Sequence, residues 1–143
     1  MNKSKVLGHS DESGFFFAKE MLAGDNTAAI NFDRIQKHPL KGYIIFEYLL
    51  CDEKQKVSPH SSHPRKYWNK NSKKFLSLWE IAKALKANLY LVNYAKINTQ
   101  HSDEILVIKV IKMSTAGIEE ELIWKTNREE FGKWFRKLNT ECL

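Results

Sequence analysis

The chain has 143 residues, 43% of them hydrophobic, which is enough for one domain with a substantial core and excludes a disordered chain. Its two cysteines exclude a disulfide framework and a cysteine-rich zinc site. The formal net charge of +6 favours an anionic partner such as nucleic acid. Because the chain opens without a signal peptide and has no apolar run near the ~20 residues of a membrane span, we expect a cytoplasmic protein that does not contact membranes.

The N-terminal part of the sequence predicts a flexible leader followed by a helix. Residues 1–8 are polar, and we expect them to be frayed. The helix covers residues 12–23, since Phe15, Ala18 and Leu22 recur at the spacing of a core-facing helical stripe. No repeat or linker follows, so the whole chain is predicted to form a single domain.

Two strands are predicted next, over residues 28–36 and 43–51, where β-branched and aromatic residues are bounded by turn formers. Each strand carries one carboxylate among apolar neighbours, Asp33 on the first and Glu47 on the second. A carboxylate in such surroundings needs a partner or a metal ion, because burial of a lone charge is costly. These two acids are therefore the main candidates for a functional site.

The connection from residue 52 to residue 71 is long for a compact domain and mixes basic with aromatic side chains. Basic groups beside exposed aromatic rings suit contact with phosphates and stacking on bases. A solvated loop held down by its aromatic residues is the alternative. The candidate nucleic-acid-binding residues, which extend into the following helix, are Lys54, Lys56, Arg65, Lys66, Tyr67, Trp68, Lys70 and Lys73.

The C-terminal half predicts a helix, two strands, a short edge strand and a closing helix. Their ranges are residues 73–87, 88–95, 103–113, 118–125 and 128–139. A capping box, Asn127 with Glu130, marks the start of the last helix. The alternation of helices and strands predicts an α/β protein.

With this order of elements and its two acids, the chain resembles the PD-(D/E)XK, or restriction-endonuclease-like, nuclease superfamily. That family has an αβββαβ core, a mixed β-sheet flanked by helices, with Asp on one strand and Asp/Glu-x-Lys on the next. Asp33 and Glu47 match the two acids, but Leu49 stands where the family has lysine. The resemblance implies this core and a metal-dependent endonuclease that hydrolyses phosphodiester bonds of DNA.

The resemblance also implies roles for individual residues. Asp33 and Glu47 would be catalytic and would bind Mg²⁺ (or Mn²⁺), with Glu12 on the first helix as an additional metal ligand. Lys74, at the start of the following helix, would supply the amine that the motif lacks; a surface position is the alternative for this lysine. Asn93, on the strand after that helix, would lie near the metal; a sheet asparagine that is hydrogen-bonded at a strand end is the alternative.

The missing motif lysine leaves other functions open. A catalytically inactive descendant of the fold would bind nucleic acid or a protein partner without cutting. A domain that docks a partner protein through exposed aromatic residues, among them Tyr67, Trp68 and Trp124, is a third reading. The sequence does not distinguish DNA from RNA, and it leaves open a homodimer or a larger complex.

Overall fold

The computed structural model describes residues 12–31 and 33–143. These fall into two compact units, one that ends at Asn31 and is grouped with Leu143, and one that covers residues 33–142. The leader predicted over residues 1–8 lies outside the described residues. Across the described ranges, no helix is both long enough and apolar enough to cross a membrane.

The first unit contains the helix α1 (Ser13–Leu22), which ends at Ala23 in the left-handed conformation with φ of 49°. No residue of α1 is buried, and Phe15, Phe16 and Phe17 are all exposed. Three consecutive phenylalanines spread around a helix and so form no single buried stripe. The predicted helix is therefore present, but the prediction that it turns a stripe toward a core is wrong.

Within residues 33–142 the chain builds a five-stranded mixed sheet whose strand order follows the chain. The strands are β1 (Arg34–His38), β2 (Gly42–Leu50), β3 (Asn88–Tyr94), β4 (Glu104–Ser114) and β5 (Gly117–Asn127). β2 and β3 are parallel, and the other neighbouring strands are antiparallel. A parallel pair needs a crossover connection, which the helix α2 (Trp68–Leu85) supplies. The closing helix α3 (Arg128–Glu141) follows β5.

Alternation of side chains along the strands gives the sheet two buried faces. One face packs against α2, and the buried residues of this layer include Ile45, Leu89 and Leu91 from the sheet and Phe75 and Leu78 from α2. The other face packs against α3, and its buried residues include Ile44, Phe46, Val92, Val107 and Leu138. Glu47 has the same parity as Ile45 along β2, so its side chain lies on the α2 face.

The α/β class, the mixed sheet and the flanking helices are as predicted, whereas the αβββαβ order is not reproduced. In the described part of the chain two strands, rather than three, lie between α1 and α2. α2 begins at Trp68 instead of residue 73, because Trp68 is buried against Phe75. β1 begins at Arg34 instead of residue 28, since residues up to Asn31 belong to the other unit. β5 is a full strand of 11 residues instead of a short one.

Candidate active site

A β-hairpin brings the two predicted acids together. β1 and β2 pair in antiparallel register, and their ladder ends with Arg34 opposite Phe46, one position before Asp33 and Glu47. The two side chains lie close together beyond the end of the ladder, since the Asp33 carboxylate is one cause of the raised pKa of Glu47. Asp33 Oδ2 accepts a hydrogen bond of 2.8 Å from the backbone N–H of Tyr48, which holds its carboxylate at this end of the hairpin.

Glu47 is a buried carboxylate, with 2% of its surface exposed. Its Oε1 lies 2.6 Å from Nζ of Lys74, whereas its Oε2 is buried without a hydrogen-bond partner among the described residues. Burial raises the pKa of Glu47, the hydrogen bond and charge of Lys74 lower it, the Asp33 carboxylate raises it again, and the net pKa change is upward. Two carboxyl groups therefore share the one ammonium group of Lys74 at this site.

Lys74 reaches Glu47 from α2, the helix that covers this face of the sheet. Its side chain is 47% exposed, so the ammonium stands between the buried acid and solvent. Leu49, at the lysine position of the family motif, packs against the apolar cluster beneath α2. An amine thus lies beside Glu47 although the strand does not provide it.

A cavity of about 560 Å³ opens beside Lys74. Lys66, Lys70 and Lys74 recur every four residues and all line it, and residues four apart lie on one face of a helix. Tyr67 also lines the cavity. Burial raises the pKa of Tyr67 to about 12, so its hydroxyl is neutral at neutral pH. The cavity therefore offers positive charge and an aromatic ring next to the acid pair.

The long connection before α2 is ordered by contacts with the sheet. Asn93 of β3 is fully buried, and its Nδ2 donates to the carbonyls of Pro59, at 3.2 Å, and of Ser62. His63 Nε2 lies 2.7 Å from a carboxylate oxygen of Glu121 on β5. Because Ser62 lines the cavity, Asn93 positions part of the cavity wall. Its predicted place near a metal stays a prediction.

Glu104 of β4 provides a second anchor for this connection. Its carboxylate accepts a hydrogen bond of 3.2 Å from the backbone N–H of His60 and lies 2.7 Å from Nδ1 of His101. Burial alone would raise the pKa of Glu104, but hydrogen bonds from Ser58, His101 and His60 outweigh it, and the pKa is lowered. The anchoring carboxylate is therefore charged at neutral pH.

The predicted nucleic-acid-binding residues separate into three groups. Lys66, Tyr67 and Lys70 line the cavity, and Lys54, Lys56, Arg65 and Lys73 are exposed away from it. Trp68 is only 8% exposed, stacks on Phe75 and donates from Nε1 to the carbonyl of Thr115. The expectation that the Trp68 ring is exposed is therefore wrong, and Trp124 is likewise partly buried, on the α3 face.

Two further polar residues, Gln55 and Asn71, line the cavity and are not among the predicted site residues. Neither belongs to a motif, and a polar residue in a loop or in the first turns of a helix carries no periodic signal. The four-residue spacing of the lysines is the sequence signal that points to one shared surface.

Oxygen donors at the acid pair match the chemistry of a hard divalent cation. Mg²⁺ and Mn²⁺ prefer carboxylate oxygens, and the buried Oε2 of Glu47 is unpaired among the described residues. Mg²⁺ in proteins is commonly held by one or two carboxylates, with water and substrate phosphate completing its shell. Within residues 12–31 and 33–143, no group of three or more His, Cys, Asp and Glu side chains is placed to hold a metal ion. Glu12 precedes α1 in the other unit, and its predicted metal role stays a prediction.

The fold and the site define a class: an α/β protein with a mixed sheet that holds an acid pair and a lysine beside a basic cavity. No family model, curated protein or solved structure matches this chain significantly. What indicates a function is therefore the cluster of Asp33, Glu47 and Lys74 itself.

Proposed function

We propose that this protein is a nuclease that hydrolyses phosphodiester bonds of DNA with Mg²⁺ or Mn²⁺, using Asp33, Glu47 and Lys74 as catalytic residues. The observation that carries the proposal is the 2.6 Å contact between Lys74 Nζ and Oε1 of the buried Glu47, beside Asp33. Packing of the sheet does not require a buried acid at this position, and its burial lowers stability. Ionisable groups kept in such perturbed surroundings cluster at functional sites.

The local topology supports a restriction-endonuclease-like assignment. In that family the acids lie on consecutive strands, and here the hairpin of β1 and β2 is followed by α2 and by the parallel strand β3. One strand of the αβββαβ core has no counterpart between α1 and α2 in the part of the chain that is described. The shared part is therefore the hairpin, α2 and β3.

Each residue of the cluster has a chemical task in this proposal. Asp33 and Glu47 would hold the cation, which when bound polarises the phosphate and lowers the pKa of a bound water. Lys74 keeps two N–H donors besides the one directed at Glu47. These donors can bind a phosphate oxygen and stabilise the charge that develops during cleavage. Lys66 and Lys70 supply positive charge for neighbouring phosphates.

Cleavage of circular single-stranded DNA and of plasmid, in Mg²⁺, Mn²⁺ or a chelator, tests the proposal. We expect Asp33→Asn and Glu47→Gln to abolish cleavage, and Lys74→Met to slow it by roughly 10²–10³-fold, the loss typical of one preorganised donor. Lys83→Met is the matched control, because Lys83 is an exposed lysine of the same helix that lies over Trp79. Equal residual cleavage by all variants would reveal a contaminating nuclease and refute the proposal.

A catalytically inactive module that binds nucleic acid is the second candidate, and one observation favours it. Lys74 already neutralises Glu47 at 2.6 Å, while Leu49 leaves β2 without the motif amine. Such a module would bind duplex DNA with a log–log salt slope of about −0.9 for each phosphate contacted. It would not cut DNA with any metal ion. Binding that does not respond to salt would remove nucleic acid from both candidates.

A further inference from the structure

We propose that the cavity beside Lys74 is a subsite for one unpaired nucleotide, so that the substrate is single-stranded or frayed DNA and not intact duplex. This inference deepens the proposed nuclease function and rests on it for the cutting step. Binding of the strand depends on the cavity alone, and it can be measured without cleavage.

The cavity combines the chemical groups that a nucleotide needs. Leu49, Val57 and Phe75 contribute apolar surface, and Tyr67 contributes an aromatic ring. An aromatic ring beside apolar side chains can stack against any base, and nearby ammonium groups attract its phosphate. The volume of about 560 Å³ falls within the ~300–1,000 Å³ range of small-molecule sites.

A row of lysines along α2 and the turn before it can follow a phosphate backbone. The row begins at Lys66 in the turn Pro64–Tyr67 and continues through Lys70 and Lys74 in α2. Lys66 Nζ donates to the carbonyl of Ser61, and Lys74 pairs with Glu47. Lys70 is exposed and forms no salt bridge with any described residue, so its charge is available to a phosphate.

A second cavity, of about 470 Å³, shares Lys66, Tyr67 and Lys70 with the first. Residues that line both cavities separate one from the other. A strand that crosses this boundary would set a phosphate against Lys66 and Lys70, with one nucleotide in each cavity. A dinucleotide step, and not a mononucleotide, is therefore the smallest unit expected to bind with full affinity.

The walls of the first cavity disfavour a paired base. They include Cys51 and Ser62, which are both buried, so the cavity extends inward to the end of β2 and the connecting loop. A base within a duplex is stacked on both sides and paired, and it must be flipped out before it can enter such a cavity, at the cost of unstacking. A single strand or a frayed end has no such cost.

Equilibrium binding to the Glu47→Gln protein in metal-free buffer tests the inference. Fluorescent oligothymidylate and a blunt, G·C-rich duplex of equal length are titrated at several salt concentrations. We expect oligothymidylate to bind roughly tenfold more tightly or better, because the duplex must first open. Lys70→Gln should reduce the salt slope for the single strand by about 0.7, the value for one lost phosphate contact. Lys83→Gln should leave the slope unchanged.

Filling the cavity provides the second arm of the test. Asn71→Trp, or Val57→Trp on the loop, should weaken binding of oligothymidylate and leave duplex binding unchanged, with a thermal melt to show that the variant is folded. Equal affinity for the two DNAs, or unchanged binding by both folded variants, would overturn the subsite. If the protein binds the single strand more tightly but the wild type cuts neither DNA, only the nuclease function is overturned. If the wild type cuts single strand and duplex equally, only the subsite is overturned.

Discussion

Replacement of Lys74 by methionine isolates the energetic cost of the buried acid. Methionine keeps a long, unbranched side chain with high helix propensity, but it removes the ammonium 2.6 Å from Oε1 of Glu47. The carboxylate, only 2% exposed, is then left without its counter-ion. A buried charge in this situation is relieved by taking up a proton.

The free energy needed to protonate an ordinary glutamate sets the upper limit of the effect. With an ordinary pKa of 4.5, protonation at pH 7 costs about 1.36 kcal/mol for each of about 2.5 pH units, or about 3.4 kcal/mol. The wild type already bears part of this cost, because the pKa of Glu47 is raised even with Lys74 present. We therefore expect Lys74→Met to lower the free energy of unfolding by about 1–3 kcal/mol at pH 7.

This loss of stability must depend on pH. A carboxyl whose pKa is raised by folding contributes stability that is fully present below its ordinary pKa of 4.5 and is lost as the pH rises through the folded-state pKa. Removal of Lys74 raises the folded-state pKa of Glu47 further, so the variant continues to lose stability after the wild type has levelled off. At pH 5 the upper limit falls to about 0.7 kcal/mol, because only about half a pH unit separates it from 4.5.

Urea unfolding between pH 5 and pH 8, followed by tryptophan fluorescence, measures the difference, since all four tryptophans lie within residues 33–142. In a Glu47→Gln background the same Lys74→Met change should cost less than about 0.5 kcal/mol, as for an ordinary surface substitution. Lys83→Met reports the loss of an unrelated lysine from α2. A loss of stability that ignores pH, or that persists with Gln at position 47, would refute the buried ion pair as its cause.

Three further predictions concern the sheet and the loop over residues 52–67. Asn93→Ala removes the donor to two loop carbonyls, so we expect about 1–3 kcal/mol of destabilisation for each carbonyl left unsatisfied and faster proteolysis of the loop, read by mass spectrometry. Leu49→Lys places an amine at the lysine position of the motif and should recover cleavage in a Lys74→Met background. The loss of a buried leucine should lower the free energy of unfolding by up to about 1.5–3 kcal/mol. A folded double variant that stays inactive would contradict the idea that the two amines can do the same task. Because the pKa of Glu104 is lowered, its contribution to stability is present above pH 4.5 and is lost as the pH falls through the folded-state pKa. Proteolysis of the loop should therefore increase at acid pH, and Glu104→Gln should remove that increase.

Elements with a strong local signal could be predicted from the sequence. The N-cap of the predicted capping box is realised, since Asn127 Oδ1 accepts a 2.9 Å hydrogen bond from the backbone N–H of Glu130 at the start of α3. The start of α2 could not be predicted in this way. Asn71 favours a helix start locally, but burial of Trp68 on Phe75 extends the helix toward its N-terminus, and this tertiary packing outweighs local preference.

The site shows the same division between local and long-range signals. Asp33 and Glu47 stand out in sequence because they are acids among strand-forming apolar residues. Lys73 and Lys74 are adjacent, and the rotation of α2 on the sheet, which packing determines, decides which of them reaches Glu47. The loop wall of the cavity has no local signal, because the loop is held by side chains more than thirty positions away, among them that of Asn93.

The amine beside Glu47 comes from the helix α2 and not from the strand, and its position there affects metal binding. Glu47 is buried with Lys74 as its counter-ion, so the ammonium and a bound cation compete for the negative charge of the same carboxylate. Removal of Lys74 takes its positive charge away from Asp33 and Glu47, and at pH 8, where protonation of Glu47 competes least, we expect Lys74→Met to bind Mn²⁺ more tightly while it cuts more slowly. A Mn²⁺ titration followed by electron paramagnetic resonance measures the affinity. Weaker binding than wild type would mean that the lysine helps to build the cation site, whereas tighter binding would mean that the ammonium and the cation exchange at Glu47.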